Sequence, residues 1–302
     1  MSTLIKIATL QQSMGLRQIV ARQAAEAEKL TQEVATGMKK DVFSGSAVAG
    51  TRSLSLRSHQ AANGAYMEAN EVLQGRLQSM ADALTAISEQ ARSFQSLTLS
   101  DAMRGSSREI YRLQAEHTLG QIVNFTNTTH GGDHVFSGLG TDQKAVEVTA
   151  APPPAMAVTY LGGPGTLSAQ IDDGTKMSYG LSATDPAFTR IFDALTTVLN
   201  TDLAAMTPAA FDTLRESVAT TLADGLQSLT SRQAALGNHQ QQLQDRIDAQ
   251  YALDHLYMKT VTGIEGVDVE EAAVRLQSMQ VQLRATYEVT ARLGRMTLLD
   301  YL

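Results

Sequence analysis

The chain contains no cysteine and no tryptophan, and only 5% of its 302 residues are aromatic. The absence of cysteine excludes disulfide bonds and thiolate sites, and it is compatible with the cytosol or with the outside of the cell. The small supply of large rings argues against a thick globular core, whereas thin helical bundles need fewer of them. The composition therefore favours a thin helical bundle.

Blocks of basic residues and long apolar runs are also missing. The formal net charge is -7, so we expect no general attraction to nucleic acid or to an anionic membrane surface. No segment approaches the roughly 20 apolar residues that span a bilayer, and residues 1–16 lack the apolar run of a secretory signal. We expect protein partners and, if the chain is exported, a route without a cleaved signal.

Two long regions carry apolar residues at the alternating steps of four and three that are typical of a coiled coil. The first seam consists of Leu73, Leu77, Met80, Leu84, Ile87, Ala91 and Phe94. The second seam consists of Leu222, Leu226, Leu229, Gln233, Leu236, Gln240, Leu243 and Ile247. Each stripe needs a partner helix, so the sequence indicates an interaction or structural protein rather than an enzyme.

Amphipathic helices are also predicted at both ends of the chain. The first is expected from about Ser13 to Thr36, with Gly37 as its C-cap, and the last follows an acidic capping box at Asp268 and Glu271. These helices can pair only with each other or with neighbouring subunits, so their stripes form a candidate assembly seam. Its residues are Leu16, Val20, Leu30, Val34, Leu276, Leu283, Leu293, Leu298 and Leu302.

Further helices are predicted between these ends. The Gly/Ser-rich segment 41–53 is expected to break the helix before a second helix of about 45 residues that ends near Ser100. A third helix is expected to begin at a capping box formed by Ser106 and Glu109. Its predicted apolar face consists of Ile110, Leu113, Val123 and Phe125.

The sequence pattern changes from about Leu139 to Thr184, where turn dipeptides and alternating apolar residues predict hairpins. Asp185-Pro186 and Thr207-Pro208 each place an N-cap before a proline at the first helical position, so helix returns there. The predicted fold is mainly α: an elongated helical bundle or coiled-coil rod formed by the N- and C-terminal helices, with a small β-rich inserted domain. Its predicted divisions are 1–138, 139–184 and 185–302.

Several short motifs raise the possibility of a chemical site. Gly162 to Thr166 reads GGPGT, but no Lys-Ser/Thr and no helix follow it, which favours a β-turn over a phosphate loop. His130, Asp133 and His134 suggest either a metal site or a hydrogen-bonded turn, and the missing third nearby ligand favours the turn. No catalytic, cofactor-binding or metal-ligating residue is assigned. His117, His239 and His255 lie on predicted helices and lack Ser, Cys or Asp partners at motif spacing.

Polar and sulfur-containing residues on the seams have structural interpretations. Gln233 and Gln240 either soften a coiled-coil core or specify its register, and the first interpretation is favoured. Met80 and Met279 fall on apolar stripes and are interpreted as core residues.

A resemblance to a known family emerges from five motifs in order along the chain, which together cover nearly all of it. They are TGMK (36–39), HVFSGLGTD (134–142), VTYLGGPG (158–165), IEGVDVEEA (264–272) and TLLDYL (297–302). With helices at both ends and a β insertion between them, the chain resembles the bacterial flagellins. VFSG and TLLDYL are most similar to the branch that joins the flagellar hook to the filament. Residues 44–49 differ from the acidic-Pro turn that the family commonly has there, so that local turn is not carried over from the family.

This resemblance implies a structural protein of the bacterial flagellum, secreted unfolded through the type III export apparatus with the help of a chaperone. It implies a ring of copies between hook and filament, in contact with another hook-associated protein and with flagellin or hook subunits. One alternative is a filament-forming flagellin. Another is a flagellin-like enzyme with a catalytic insertion, which is disfavoured because the insertion is short and lacks a His-Glu-x-x-His helix.

Overall fold

The computed structural model of the protein describes residues 2–100, 108–150, 156–163 and 165–295. The chain forms two compact units. We call residues 1–62 and 253–302 the terminal unit, and residues 63–252 the central unit. Ser106, Leu298 and Leu302 lie outside the described residues, so the structure does not test what was predicted for them.

The described part of the chain is mainly helical, as predicted. Its helices are α1 Ser2–Thr36, α2 Val42–Gly45, α3 Ala47–Leu99, α4 Arg108–Thr126, α5 Pro186–Asn200, α6 Pro208–Glu265 and α7 Val269–Arg295. Its strands are β1 Thr129–His130, β2 Asp133–His134, β3 Val146–Ala150, β4 Met156–Tyr160, β5 Leu167–Asp172 and β6 Thr175–Tyr179. At 1.5 Å per residue, the 58 residues of α6 span about 87 Å.

The described strands pair as three antiparallel hairpins, β1–β2, β3–β4 and β5–β6. In β5, Leu167, Ala169 and Ile171 point inward while the residues between them are exposed, which confirms the predicted alternation. The β1–β2 hairpin lies before the predicted β-rich segment. The sequence did not predict it, because its two-residue strands are too short to show a period.

The two predicted seams form the core of the central unit. All seven residues of the first seam are at most 5% exposed, and the apolar residues of the second are at most 7% exposed. Burying each leucine stabilises the fold by about 1.5–3 kcal/mol, so these stripes are its main apolar contribution. Aromatic residues of α4 and α5 complete the same core. Met80, at 1% exposure, is a core residue as predicted.

Two predicted helix starts were wrong. α1 begins at Ser2 rather than near Ser13, and α3 begins at Ala47, inside the segment that was expected to break the helix. The Ser46 hydroxyl oxygen accepts a hydrogen bond from the Ala49 amide at 3.2 Å, so this serine caps α3. The Gly/Ser composition therefore supplies a helix cap and not a long loop.

The predicted apolar face of α4 was wrong for Ile110 and Leu113 but right for Val123 and Phe125, which are half-buried against the core. Ile110 and Leu113 are more than half exposed, whereas Tyr111 is fully buried. The Tyr111 ring stacks on Phe94 at 5.4 Å between centroids and meets the edge of Phe211 at 5.7 Å. This aromatic cluster fixes which side of α4 faces the core. The other buried residues of α4 are Ala115, Thr118, Leu119, Ile122 and Thr126.

The predicted helix caps are present with one difference. Asp185 accepts a hydrogen bond from the Ala187 amide at 2.9 Å, and Thr207 accepts one from the Ala210 amide at 3.2 Å. Asp268 caps α7 by accepting from the amides of residues 270 and 271. Glu271 does not return a bond to complete the box, because its carboxylate pairs with Arg275.

A buried amide network joins α3, α6 and β5 in the central unit. Asn70 Nδ2 donates to Ile171 O and to Gln250 Oε1, each at 2.9 Å. Gln250 Nε2 donates to the same carbonyl at 3.0 Å, and Asn63 Nδ2 donates to Gln250 O at 2.9 Å. The three side chains are at most 6% exposed. Since each amide must keep its partners, this network fixes the register of the two helices against the hairpin.

A glycine lies at a close approach of α5 and α6. A Cβ at Gly225 would lie 2.8 Å from Ile191 Cγ1, closer than such carbons approach, whereas nothing lies within 4 Å of a Cβ at Gly237. We expect Gly225→Ala to lower the free energy of unfolding by about 1 kcal/mol, because overpacking outweighs the gain in helix propensity. Gly237→Ala in the same helix should raise it by about 1 kcal/mol. Urea unfolding measures both, and equal stabilisation by the two changes would contradict the close approach.

Candidate assembly surface

The described residues of the candidate assembly seam lie between α1 and α7, which pack against each other in the terminal unit. Leu30 is buried at 6% exposure, and the other described members of the seam are half-buried. Thr286 Oγ1 donates a hydrogen bond to Gln23 Oε1 at 3.1 Å across the pair. These described members are Leu16, Val20, Leu30, Val34, Leu276 and Leu283.

Part of the predicted seam is not tested by the structure. The backbone at Leu293 belongs to α7, but its side chain lies outside the described part, as do Leu298 and Leu302. Met279 lies on the described stripe of α7 and is half-buried, as expected for a residue that packs against a neighbouring helix.

The terminal pair buries its stripe much less completely than the central seams do. Leu30 and Ala272 are the buried apolar residues among those described in α1 and α7. A helix gains most of its stability from tertiary packing of its apolar face. The α1–α7 pair is therefore a marginal element by itself.

A second apolar surface lies on the outside of α7. Val274, Val281 and Val289 are 68%, 61% and 53% exposed, and their spacing of seven and eight residues keeps them on one side of the helix. On a helix with 3.6 residues per turn, this side lies nearly opposite the stripe through Leu276 and Leu283. An exposed apolar stripe of this kind is a candidate contact surface for another protein.

The segment that leaves α1 (residues 37–39) crosses the segment between α6 and α7 (residues 265–267), and we call this contact the crossing. The Val267 amide donates to Gly37 O at 3.0 Å, and Met38 and Gly266 form an isolated antiparallel bridge. Gly37 has a φ of 68°, which confirms its predicted role as the C-cap of α1. The Lys39 amide donates to Glu265 O at 2.7 Å, so this crossing also satisfies a carbonyl at the end of α6.

A carboxylate cluster lies beside the crossing. Glu265 Oε1 accepts hydrogen bonds from Ser53 Oγ and from Arg57 Nε, the latter at 2.8 Å, and Oε2 pairs with Arg57 Nη2. The Glu265 side chain is 12% exposed. The hydrogen bond from Arg57 holds the pKa of Glu265 at about 2, against the opposing effect of burial and with help from Ser53. Sequence reasoning quoted Glu265 within a family motif but missed this cluster, because its partners lie more than 200 positions away.

The residues once considered for a metal site form a hydrogen-bonded turn. The Ser79 hydroxyl donates to Gly75 O, so His130 Nδ1 donates to Ser79 Oγ at 2.9 Å. His134 Nδ1 donates to the Asn127 carbonyl at 2.9 Å, and Asp133 pairs with Arg76 at 3.4 Å. Within the described residues, no group of three or more His, Cys, Asp or Glu side chains could hold a metal ion.

Two of the sequence motifs meet in space. A Cβ at Gly138 would lie 2.0 Å from Gly163 O, and a Cβ at Gly162 would lie 2.7 Å from Ser137 Cα. The backbone of Gly162 and Gly163 is thus seated directly on that of Ser137 and Gly138, and positions 138 and 162 leave no room for a Cβ. This contact explains Gly138 and Gly162 by packing, with no need for a phosphate.

The polar seam residue Gln240 bonds across the α3–α6 pair, where its Nε2 donates to Gln78 Oε1 at 3.2 Å. Gln233 and Gln240 are both half-buried, in line with polar positions that soften the seam. His239 is half-buried, and His117 and His255 are exposed.

The fold defined by these elements is a set of long helices from both ends of the chain, with a small strand-rich segment between them. A family model for the bacterial flagellin N-terminal helical region matches residues 7–141, and one for the C-terminal helical region matches residues 220–302. The chain belongs to the bacterial flagellin family.

Solved structures share this fold. A protein of Vibrio parahaemolyticus, titled as a flagellar hook-associated protein, aligns with a TM-score of 0.59 at 15% identity, over 72% of this chain and 97% of its own. FlgL from Xanthomonas campestris aligns with a TM-score of 0.52 at 14% identity, over 65% of this chain and 99% of its own. No curated protein matches the chain. None of the described helices is long and apolar enough to cross a membrane.

Proposed function

We propose that this protein is a structural subunit of the bacterial flagellum that joins the hook to the filament as a ring of copies. The observation that carries the proposal is the half-buried seam of the α1–α7 pair together with the exposed valine stripe on α7. The seam is incompletely buried between α1 and α7 and the valine stripe is exposed, and neighbouring subunits of an assembly would cover both. Family membership supports a structural role in the flagellum.

The choice of the junction over the filament is supported by the fold. The Vibrio parahaemolyticus protein is described as a flagellar hook-associated protein, and the alignments cover nearly the whole length of both solved proteins. The TLLDYL ending and the VFSG segment resemble the same branch. A filament-forming flagellin is the alternative. The alternative of a catalytic insertion is disfavoured, because segment 139–184 contains no histidine and His130 and His134, just before it, form the hydrogen bonds of a turn.

The partners we propose are further copies of this chain, a second hook-associated protein, and hook or flagellin subunits on either side. An export chaperone for the terminal helices and secretion by the flagellar type III route belong to the same proposal. The marginal α1–α7 pair supports it, because helices that gain stability only by packing remain available until they assemble.

Self-assembly of the purified protein separates the junction from the filament. At high concentration and with filament seeds, we expect the protein to form no long filaments under negative-stain microscopy, while a filament flagellin prepared in parallel polymerises. Micrometre-long filaments of this protein would reject the junction proposal and favour the alternative.

Limited proteolysis tests whether the terminal pair opens in the monomer. Arg17, Arg22 and Arg292 lie on the terminal pair, and Arg92 offers a matched exposed site on α3 in the central unit. We expect trypsin to cut at the three terminal arginines long before Arg92, because cleavage requires local opening and α3 is held by a buried seam. Early cleavage at Arg92 with protected ends would contradict a mobile terminal pair.

The division into residues 1–138, 139–184 and 185–302 stays a prediction. Buried residues of the middle segment, including Val146, Ile171 and Tyr179, belong to the same apolar core as the helices of the central unit. Replacing 139–184 by a Gly/Ser linker tests whether this segment is a separable outer domain. Retained helical circular dichroism would support the division, and its loss would join the segment to the core.

A further inference from the structure

We propose that Glu265, Arg57 and Ser53 form a latch, which stops local unfolding of the terminal helix pair from spreading into the start of α3 and the end of α6. The inference concerns the terminal unit alone and does not depend on the proposed place in the flagellum. It explains why the Glu265 carboxylate is buried, although Glu265 is not part of the candidate assembly seam.

The need for a latch follows from the burial pattern of these helix ends. The structure describes all of residues 47–62 and 253–265, and Val261 is the one buried hydrophobic side chain within them. Val48 and Leu54 on α3 and Leu256 on α6 are each more than half exposed. Apolar burial therefore holds this stretch weakly, in contrast to the seams at 73–94 and 222–247.

The latch supplies polar contacts in place of the missing apolar ones. Both carboxylate oxygens of Glu265 are engaged by side chains from α3, two of these bonds coming from the guanidinium of Arg57. Bonds between a guanidinium and a carboxylate are about twice as strong as neutral hydrogen bonds. A carboxylate at a helix C-terminus is disfavoured by the helix dipole, so Glu265 depends on Arg57 for its placement.

The same residues connect the latch to the terminal pair. Lys39 Nζ donates to Ile264 O at 2.7 Å, and the Lys39 amide donates to Glu265 O. The segment that leaves α1 is thus bonded to the last turn of α6, directly beside the carboxylate. Opening of α1 and α7 reaches the latch first, before it can reach the rest of α3.

A packing contact covers the flank of the latch. A Cβ at Gly50 would lie 2.4 Å from Phe43 Cδ1, so the Phe43 ring is seated directly on the backbone of α3. Phe43 and Gly50 line a groove of about 260 Å³ together with Ser53, Arg57 and Glu265. The ring holds α2 against α3 on the side where the latch lies.

The latch has a definite pH dependence. The charged groups around Glu265 are Arg57 on α3 and Lys39, Lys40 and Asp41 on the segment after α1. The pKa of Glu265 is lowered from 4.5 to about 2 in the folded state. A group with a lowered pKa stabilises the fold fully above its unfolded pKa, and that contribution is lost as the pH falls from about 4.5 towards about 2. Arg57 stays charged throughout this range.

Hydrogen exchange of the full-length protein at pH 7 tests the latch. In Glu265→Gln, we expect amide exchange within 47–62 and 253–265 to accelerate at least about tenfold, because a charge-assisted contact is lost from a weakly packed stretch. Exchange within 73–94 should stay unchanged. Glu271→Gln is the matched control, since Glu271 also pairs with an arginine of the terminal unit but is 61% exposed, and it should leave 47–62 unchanged.

Arg57→Gln provides a second route to the same state. It should reproduce the effect of Glu265→Gln, and the double variant should exchange no faster than either single variant, because both remove one interaction. Unchanged exchange within 47–62 in both single variants would overturn the proposal. So would an equal acceleration within 73–94, which would indicate general destabilisation rather than a local boundary.

Discussion

Leu283→Asp is expected to abolish assembly while the central unit stays folded. Leu283 is half-buried on the stripe of α7 that packs towards α1. Burial of a leucine side chain is worth about 1.5–3 kcal/mol, and an aspartate there adds the cost of placing a charge against apolar neighbours. Because the terminal pair is marginal, this loss removes the seam. The variant should be exported but should not connect hook to filament, and motility of the complemented strain measures the result.

The control for this change is Gln280→Asp, which places the same charge at an exposed position one turn earlier on α7. It should leave motility intact. Circular dichroism and urea unfolding of both purified variants should show an unchanged central unit, because α7 belongs to the terminal unit. Normal motility with Leu283→Asp would contradict the assignment of the seam.

Gln250→Ala is expected to lower the free energy of unfolding of the central unit by about 3 kcal/mol. The change removes the Gln250 oxygen that accepts from Asn70 and the Gln250 amide that donates to the Ile171 carbonyl. It also opens a cavity between α3 and α6. An unsatisfied buried polar group costs about 1–3 kcal/mol, and the cavity adds to it. The shift of the urea midpoint at constant slope measures the loss.

Gln241→Ala on the same helix is the matched control. Gln241 is exposed and bonds to Asp245 one turn away, so its replacement should change stability by no more than about 0.5 kcal/mol. A similar small effect of Gln250→Ala would show that the amide network contributes little to the central unit.

The seams and caps could be predicted from the sequence because each depends on residues close together in the chain. Steps of four and three place Leu77 and Leu84 on one stripe, and the buried stripes of α3 and α6 confirm that prediction. Asp185 before Pro186 determines a helix start in the same local way. The alternation of β5 follows from a period of two.

The features that the sequence did not reveal depend on partners far away in the chain. Tyr111 packs against Phe211, 100 positions later, and this contact determines which face of α4 is buried. Ile110 and Leu113 are therefore exposed, although their apolar side chains predicted burial. The Glu265 latch and the Gln250 network likewise join residues about 180 to 210 positions apart. No local pattern marks such pairs. The role of the terminal seam in assembly stays a prediction, because its described residues pack between α1 and α7 of a single chain.

Electron microscopy of cells that lack this protein tests the proposed junction most directly. A strain with the gene deleted should carry hooks without filaments and should release unassembled flagellin into the medium, and the intact gene should restore filaments. Filaments of normal length on the deletion strain would contradict the proposal. Hooks without filaments and without released flagellin would also contradict the junction proposal. That result is expected when the missing protein is the filament flagellin itself.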